Sequence, residues 1–385
     1  MSHPIYLDNA ATSYPKPASV LRAVTSAMRD CGGNPGRGAH RHARAASELL
    51  YECRKEVAEL IRLDDPTHVV FTQNTTAALN IALKGFLRAG DHVLISDMEH
   101  NAVRRPILAR REAVGISYSI FPTEGMHEGN AARILSSYKT PATRAVIALH
   151  ASNICSRTLP LKAIGSYCRQ NGLLFIADAA QSIGHLPIDL DGMGITALCA
   201  PGHKGLFGPQ GSGFLALSSE LSGDTLPRTL IEGGSGYDSF LPSMPADAPE
   251  RYEAGTVATP CIAGLLAGIR FVQSIGLEEI REKEEGLFRL ARERLQAIRG
   301  VHVYEPHAVG SVLSFSVEGR ASEEIAALLD KEGISVRAGF HCAPLAHRTL
   351  GTEESGGTVR LGFGYFNTPE EVRRCTDRLY RVMKG

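Results

Sequence analysis

A lysine and an aspartate, each placed beside an apolar run, are the residues of this chain best suited to chemistry. Lys204 lies between Gly202 and Gly205, in a segment flanked by two runs that predict strands. Asp178 ends the apolar run 175–177, and ligands of open α/β sheets bind at the carboxyl ends of strands. A lysine can form a Schiff base with an aldehyde, and a carboxylate can keep a ring nitrogen protonated. The pair predicts a pyridoxal phosphate (PLP) site, although Asp178 alone also suits a helix N-cap.

The lysine strengthens this interpretation because its neighbours are small. A lysine among glycines is hard to explain as a solvated surface charge. Burial lowers the pKa of an amine and makes it a better nucleophile. We therefore expect Lys204 to be buried and reactive.

A helix that begins directly after a predicted strand is a candidate phosphate site. Thr75 and Thr76 open this helix after the strand at 69–71. Helix N-termini offer unpaired N–H groups and a favourable dipole to an anion. A threonine at this position is also an ordinary helix cap, and the two interpretations are compatible.

Three more polar residues follow the ends of predicted strands. His100 comes after the strand at 92–96, and its flat imidazole suits stacking on a cofactor ring or a purely structural role. Asn153 and Gln181 each follow a strand end. Their amides are suited to hydrogen bonds with a phenolic oxygen on the ring.

Two residues near the C-terminus suit the binding and handling of a small amino acid. Cys342 is bracketed by glycine and proline, which indicates a loop, and His341 and Arg337 nearby favour the nucleophilic thiolate. The alternative is an inert thiol. Arg360 interrupts an apolar strand. An inward arginine needs a carboxylate, which a substrate would supply with bidentate geometry, whereas the alternative is a surface arginine.

Composition narrows the class of protein. The chain has 385 residues with 41 basic and 41 acidic side chains, so a nucleic acid or an anionic membrane is not expected as a partner. The eight cysteines show no CxxC pair and no metal-like spacing with histidine, so no metal site is expected. The N-terminus does not resemble a signal peptide and no long apolar run predicts a membrane span. We expect a cytoplasmic protein.

Alternating strands and helices predict an α/β fold with a mostly parallel sheet. We expect an N-terminal arm over residues 1–15 and a large PLP-binding domain over 16–255. A smaller α+β domain is expected over 256–385. The chain is too long for one small core, which favours two domains.

These residues together resemble the class V aminotransferase-like, fold-type I PLP enzymes, specifically the cysteine desulfurase and selenocysteine lyase group. The resemblance runs from the YLDNAAT stretch at 6–12 to Arg360. Its most specific segments are 202–204 (GHK), 253–256 (EAGT) and 337–343 (RAGFHCA). The short interval between the cysteine and the arginine resembles the branch called group II.

The resemblance implies a role for each candidate residue. Lys204 would hold the cofactor, Asp178 would pair with the ring nitrogen, and His100 would stack on the ring. The phenolic oxygen would lie near Asn153 and Gln181, and Asn153 and Arg360 would bind the substrate. Thr75, Thr76 and His203 would bind the phosphate. Thr256 would reach the phosphate of the neighbouring subunit in a homodimer. Relatives usually carry a hydroxyl residue near the position where this chain has Pro201, so one phosphate ligand is missing.

The implied reaction converts L-cysteine to L-alanine and leaves the sulfur on Cys342 as a persulfide. Lys204 would move the α-proton, His100 would assist proton transfer, and a sulfur-acceptor protein could collect the sulfur. One alternative is selenocysteine lyase. Another is a different class V PLP lyase or aminotransferase acting on a small amino acid. A catalytically idle cofactor-binding protein would need neither Cys342 nor Arg360.

Overall fold

The computed structural model describes residues 4–36, 38–305, 307–308 and 310–384. Within these ranges the strands are β1 (Ile5–Tyr6), β2 (Val69–Thr72), β3 (His92–Ser96), β4 (Ser117–Phe121), β5 (Thr143–Leu149), β6 (Leu174–Asp178), β7 (Ala197–Pro201), β8 (Gly213–Leu217), β9 (Val301–Val303), β10 (Val312–Val317), β11 (Ile334–Ser335), β12 (Arg337–Gly339) and β13 (Thr358–Gly362). The α-helices are α1 (Ala18–Asp30), α2 (Arg41–Leu60), α3 (Thr75–Phe86), α4 (Asn101–Val114), α5 (Ala131–Tyr138), α6 (Leu161–Gln170), α7 (Thr259–Ile275), α8 (Leu277–Gln296), α9 (Ser322–Lys331), α10 (Pro344–Thr349) and α11 (Pro369–Lys384).

A seven-stranded sheet forms the centre of the molecule. Its strand order is β2-β8-β7-β6-β5-β3-β4, and β8 runs antiparallel to both of its neighbours while the other strands are parallel to one another. Strands β3, β7 and β8 are buried along their whole length. A parallel sheet that is covered on both faces needs such uniformly apolar strands. The predicted α/β architecture is therefore observed.

Two apolar clusters lie on opposite faces of this sheet. One includes residues of α2, α5, α6 and α7 together with Phe175 and Leu198. The other includes residues of α3 and α4 together with Val93, Ile147 and Ile176. Parallel strands with helices on both faces bring all their carboxyl ends to one edge, where loops can converge on a ligand.

A second, four-stranded sheet, in the order β12-β13-β10-β9, is antiparallel throughout. It shares an apolar cluster with α8, α9 and α11. The arm strand β1 pairs in parallel with β11, and an isolated bridge joins Asp8 to Gly362 on β13. The division at residues 255 and 256 stays a prediction, and α7, which follows it, packs against α1 and α2.

Most predicted elements are present with ends shifted by a few residues. Helix α7 can begin at Thr259 because Pro260 at its second position needs no hydrogen bond there. Two short helices were not predicted, α5 and α10. The two-residue pairing of β1 with β11 joins segments more than 300 residues apart, which no local pattern reveals.

No single helix in the described ranges has the length and apolar character of a membrane span. Helices α7 and α8 reach that length and apolar character only when they are counted as one helix, and the pair is bent by 82°.

Helix α7 supports the segment that carries Lys204, and Gly268 is the point of closest approach. A Cβ on Gly268 would lie 2.1 Å from the carbonyl oxygen of Leu206. We expect Gly268→Ala to lower the free energy of unfolding by about 1–3 kcal/mol, because the helix must move away from this segment. Denaturant unfolding measures the change.

Gly286 provides the matched control. It lies on the exposed face of α8, and a Cβ there would meet no neighbouring atom within 4 Å. Gly286→Ala should raise the free energy of unfolding by roughly 0.5–1 kcal/mol, since alanine has the higher helix propensity. Equal effects of the two substitutions would contradict the close packing at Gly268.

Candidate active site

Lys204 lies on a tight turn that follows β7. The N–H of Gly202 donates to Ser212 O at 2.8 Å, and the N–H of Phe207 donates to Lys204 O at 2.9 Å. A Cβ on Gly205 would lie 2.2 Å from Ile183 O. Glycine is therefore required beside the lysine because the chain packs backbone against backbone there.

The charges of Lys204 and Asp178 influence each other. Asp178 is buried at the end of β6, and its Oδ1 accepts a hydrogen bond from the N–H of Ala180 at 2.8 Å. Burial raises the pKa of Asp178, while Ala180 and Lys204 oppose that rise. Burial lowers the pKa of Lys204 to about 8, against the opposing effect of Asp178. Lys204 is half-buried rather than fully buried, its amine is weakly basic and interacts with the carboxylate of Asp178, and its reactivity stays a prediction.

The N-terminus of α3 lies at the same edge of the sheet. Asn74 caps the helix by accepting from the N–H of Ala77 at 2.9 Å. Thr75 is buried and Thr76 is exposed, and both line the pocket that contains Lys204. Burial, with help from Lys204 and Lys16, lowers the pKa of His203 to about 4, so this histidine is a neutral donor or acceptor.

His100 caps the N-terminus of α4 and lines the pocket. Its Nδ1 accepts from the N–H of Ala102 at 3.0 Å, which leaves the ring proton on Nε2. Burial first, and then Lys204 and Arg337, lower its pKa to about 4. At neutral pH His100 is therefore uncharged and can donate a hydrogen bond from Nε2.

Asn153 and Gln181 both hold neighbouring backbone segments. The side-chain amide of Asn153 donates to His341 O at 2.9 Å, and that of Gln181 donates to Ala10 O at 2.9 Å. Both residues also line the Lys204 pocket. Each amide therefore ties a distant segment of the chain to the pocket wall.

Arg360 is buried in β13, so it is not a surface arginine; its exposed fraction is 1%. Its Nη2 lies 2.8 Å from Asp8 Oδ1, and its Nη1 donates to Asn153 O at 3.1 Å. Its Nε has no hydrogen-bond partner within the described ranges. Asp8 on the arm thus supplies one carboxylate oxygen to this buried arginine, and the Nε–H of Arg360 remains available.

Cys342 is exposed on the loop between β12 and α10, as expected. The guanidinium Nη2 of Arg337 lies 3.9 Å from its Sγ. The expectation that His341 favours the thiolate is wrong. Its Nε2 donates to Thr358 O at 3.0 Å, and burial lowers its pKa to about 2, so the ring is neutral and bonded to β13.

The backbone of this cysteine loop is fixed. His341 and Cys342 have φ values of 46° and 58°, a left-handed conformation that costs a non-glycine residue about 1–3 kcal/mol. The N–H of Asn101 donates to Cys342 O at 2.7 Å, and Asn153 holds the carbonyl before it. These bonds connect the loop to the residue after His100 and to the pocket wall.

Thr256 lies apart from this pocket. It is exposed, and its Oγ1 accepts from the amide of Asn34 at 3.3 Å. The segment before it is anchored by Glu253, whose carboxylate lies 2.6 Å from Arg54 Nη2 and accepts from the N–H of Phe71 at 2.6 Å. Its predicted contact with a neighbouring subunit stays a prediction.

Sequence reasoning missed Asp8 and Glu99. Glu99 is fully buried, and its Oε1 accepts from Ser96 Oγ at 2.5 Å and from the N–H of Leu149 at 2.8 Å. Burial, with Asp178 nearby, raises its pKa to about 8, so it is a neutral acid at pH 7. Asp8 belonged to a recognised motif, but its partner Arg360 is 352 residues away.

The residues of the pocket fit PLP. A cavity of about 110 Å³ is lined by eight of the predicted residues, namely Thr75, Thr76, His100, Asn153, Asp178, Gln181, His203 and Lys204. Asn153 Oδ1 and His203 Nδ1 are buried without a hydrogen-bond partner in the described part of the chain. Such atoms are costly unless a ligand or water satisfies them. The amine, the carboxylate and the helix N-terminus match the aldehyde, the ring nitrogen and the phosphate of the cofactor.

This arrangement on a mostly parallel sheet defines a fold-type I PLP-dependent enzyme. The chain belongs to the aminotransferase class-V family, whose model matches residues 5–375.

Several proteins are similar over nearly the whole chain. A probable cysteine desulfurase of Methanothermobacter thermautotrophicus is 34% identical over 98% of this chain and 94% of its own length. The apo structure of a cysteine desulfurase from Thermococcus onnurineus has a TM-score of 0.90 at 30% identity, covering 99% of this chain and 95% of that one. A variant of C-DES with glycine covalently linked to the PLP cofactor has a TM-score of 0.80 at 25% identity, covering 98% and 97%.

The low pKa of Lys204 can be tested on the chain without cofactor. Trace acetylation at a series of pH values, quantified by peptide mass spectrometry, should give half-maximal reactivity of Lys204 near pH 8. Only the unprotonated amine reacts, so reactivity rises with pH. Asp178→Asn should move that midpoint to lower pH, because the carboxylate of Asp178 stabilises the ammonium. An upward shift would contradict the pairing.

Proposed function

We propose that this protein is a PLP-dependent cysteine desulfurase that converts L-cysteine to L-alanine and carries the sulfur on Cys342 as a persulfide. The observation that carries the proposal is the position of the thiol. Its loop is hydrogen-bonded to Asn101, beside His100, and to Asn153 on the pocket wall. We infer that a thiol on a loop held this way reaches the sulfur of a substrate bound at Lys204.

Arg360 is the proposed anchor for the substrate carboxylate. It is buried, it keeps an unpartnered Nε–H among the described residues, and it lies directly opposite Arg337 in the pairing of β12 with β13. Two arginines opposite each other repel unless anions neutralise them. Asp8 supplies one negative charge, and a substrate carboxylate would supply a second.

PLP, when bound, supplies an electron sink that stabilises negative charge at the substrate α-carbon. Lys204 is the proposed base that removes the α-proton, and its pKa of about 8 suits proton transfer near neutral pH. The Asp178 carboxylate would keep the ring nitrogen of the cofactor protonated. His100, uncharged with its proton on Nε2, can donate a hydrogen bond, and its assistance in proton transfer stays part of the proposal.

Cys342 performs the sulfur transfer. Its thiolate attacks the substrate sulfur, an S–S bond forms, and the bond between that sulfur and the substrate β-carbon breaks. The electron pair of the broken bond stays with the three-carbon product, which takes up protons and leaves as alanine. The guanidinium Nη2 of Arg337 lies 3.9 Å from the Cys342 Sγ.

A homodimer and a sulfur-acceptor protein complete the proposal. Thr256 is exposed at the end of a segment anchored by Glu253, as a residue reaching a second subunit would be. Cys342 is exposed, so an acceptor thiol can reach its persulfide. Size-exclusion chromatography with light scattering tests the dimer.

Cys342→Ala tests the sulfur transfer. This variant should still take up PLP and turn yellow, but its release of alanine from cysteine should fall by roughly a hundredfold or more, because the nucleophile is lost. Alanine is measured with dithiothreitol present. Cys261→Ala, which changes another partly exposed cysteine, is the control and should retain activity.

Other outcomes separate the alternatives. Full activity of Cys342→Ala on cysteine would indicate simple elimination, and full activity on selenocysteine alone would indicate a selenocysteine lyase. Turnover of cysteine, selenocysteine and cysteine sulfinate by the wild-type chain ranks these substrates. A protein that cannot be reconstituted with PLP would refute the enzyme assignment.

Arg360→Lys tests the carboxylate anchor. Lysine keeps the charge but loses the planar pair of N–H donors. We expect KM for cysteine to rise roughly tenfold or more, as for the loss of a charge-assisted hydrogen bond, with a smaller change in kcat. Steady-state kinetics measure both constants, and an unchanged KM would place the carboxylate elsewhere.

A further inference from the structure

The arm residues before α1 converge on the backbone of the lysine turn. The carbonyl oxygen of His203 lies 2.9 Å from Lys16 Nζ and 3.1 Å from both the N–H of Ser13 and Thr12 Oγ1. Ser13 Oγ also donates to Lys204 O at 2.9 Å. The carbonyls of the reactive lysine and of the residue before it are therefore held by a segment far away in the sequence.

Lys16 is unusual among these donors because it carries a charge. Its ammonium is partly buried, its hydrogen bonds go to His203 O and Ser13 Oγ, and the described residues place no carboxylate within 4 Å of it. Burial lowers its pKa to about 8. An ammonium that binds a backbone carbonyl lacks the Coulomb attraction that a carboxylate would provide. Its hydrogen bond to the carbonyl is nevertheless stronger than one from a neutral donor, because the donor is charged.

The other end of the arm is attached to the small sheet. Asp8 pairs with Arg360, and Gly362 on β13 exchanges hydrogen bonds with Leu7 and Asn9. Between these points Gln181 holds Ala10 O. The arm thus crosses from the proposed carboxylate anchor to the lysine turn with backbone bonds along its length.

We propose that Lys16 is a positioning residue for Lys204, fixing the turn through the His203 carbonyl while the arm connects that turn to Arg360. The link to the reaction rests on the proposed function of Lys204. The tether itself is a property of the polypeptide, so it can be measured without cofactor.

The test is hydrogen exchange of the chain without cofactor, followed by peptide mass spectrometry. The amides of Gly202, Phe207 and Gly208 are hydrogen-bonded within the turn. Lys16→Met removes the ammonium, and we expect exchange in the peptide 202–208 to speed up roughly tenfold. Lys16→Arg keeps a charged donor and should restore most of the protection.

Two controls separate positioning from general destabilisation. Lys162→Met changes an exposed lysine on α6 and should leave exchange at 202–208 unchanged. Helix α5, which packs against α6 and β4 on the large sheet and not against the arm, should keep its protection in all variants. Unchanged exchange in Lys16→Met would overturn the proposal, as would equal acceleration in α5 and in the turn, or failure of Lys16→Arg to restore protection.

The consequence for the cofactor is measured separately. Lys16→Met should weaken PLP binding roughly tenfold, read from the visible absorption of the bound cofactor, with recovery in Lys16→Arg. If the wild-type chain does not capture PLP on Lys204, the proposed function fails, and the exchange measurement still decides the tether. If PLP affinity is unchanged while exchange increases, the tether does not position Lys204 and the proposal is overturned.

Discussion

The site depends on charged side chains that are each balanced by an opposite charge from another part of the chain. Lys204 faces Asp178, and Arg360 faces Asp8. An unpaired ion in such a place costs several kcal/mol, and the usual outcome is loss of the charge. Asp178 therefore moderates the fall in the pKa of Lys204, and under the proposed function it would also pair with the ring nitrogen of the cofactor. Glu99, buried nearby, is neutral and does not add a second negative charge.

The polar side chains around the pocket also serve the polypeptide. Asn153 and Gln181 hold backbone carbonyls of the cysteine loop and the arm, and His100 caps α4 while its neighbour Asn101 binds Cys342 O. Hydrogen bonds therefore connect the cysteine loop and the arm to the pocket wall. The left-handed residues His341 and Cys342 can persist because these bonds over-determine their conformation.

Local patterns were enough to predict most strands, most helices and the residues at strand ends. Lys204 among glycines and Asp178 after an apolar run are enough to predict where the site lies. Proximity along the chain misled at His341, which turns its ring toward β13 rather than toward Cys342. Neighbours in sequence need not share a face, and the left-handed backbone at 341 and 342 separates their side chains.

The sequence by itself determined the residue types, the alternation of strands and helices, and hence a sheet edge at which Lys204, Asp178 and the start of α3 must meet. Parallel strands with short connections leave few other arrangements. Only the tertiary structure decided that Asp8 neutralises Arg360, that Glu99 is buried beside the site, and that Lys16 reaches the carbonyl of His203. These contacts join segments tens to hundreds of residues apart, and they form only when packing brings those segments together, so no local pattern encodes them.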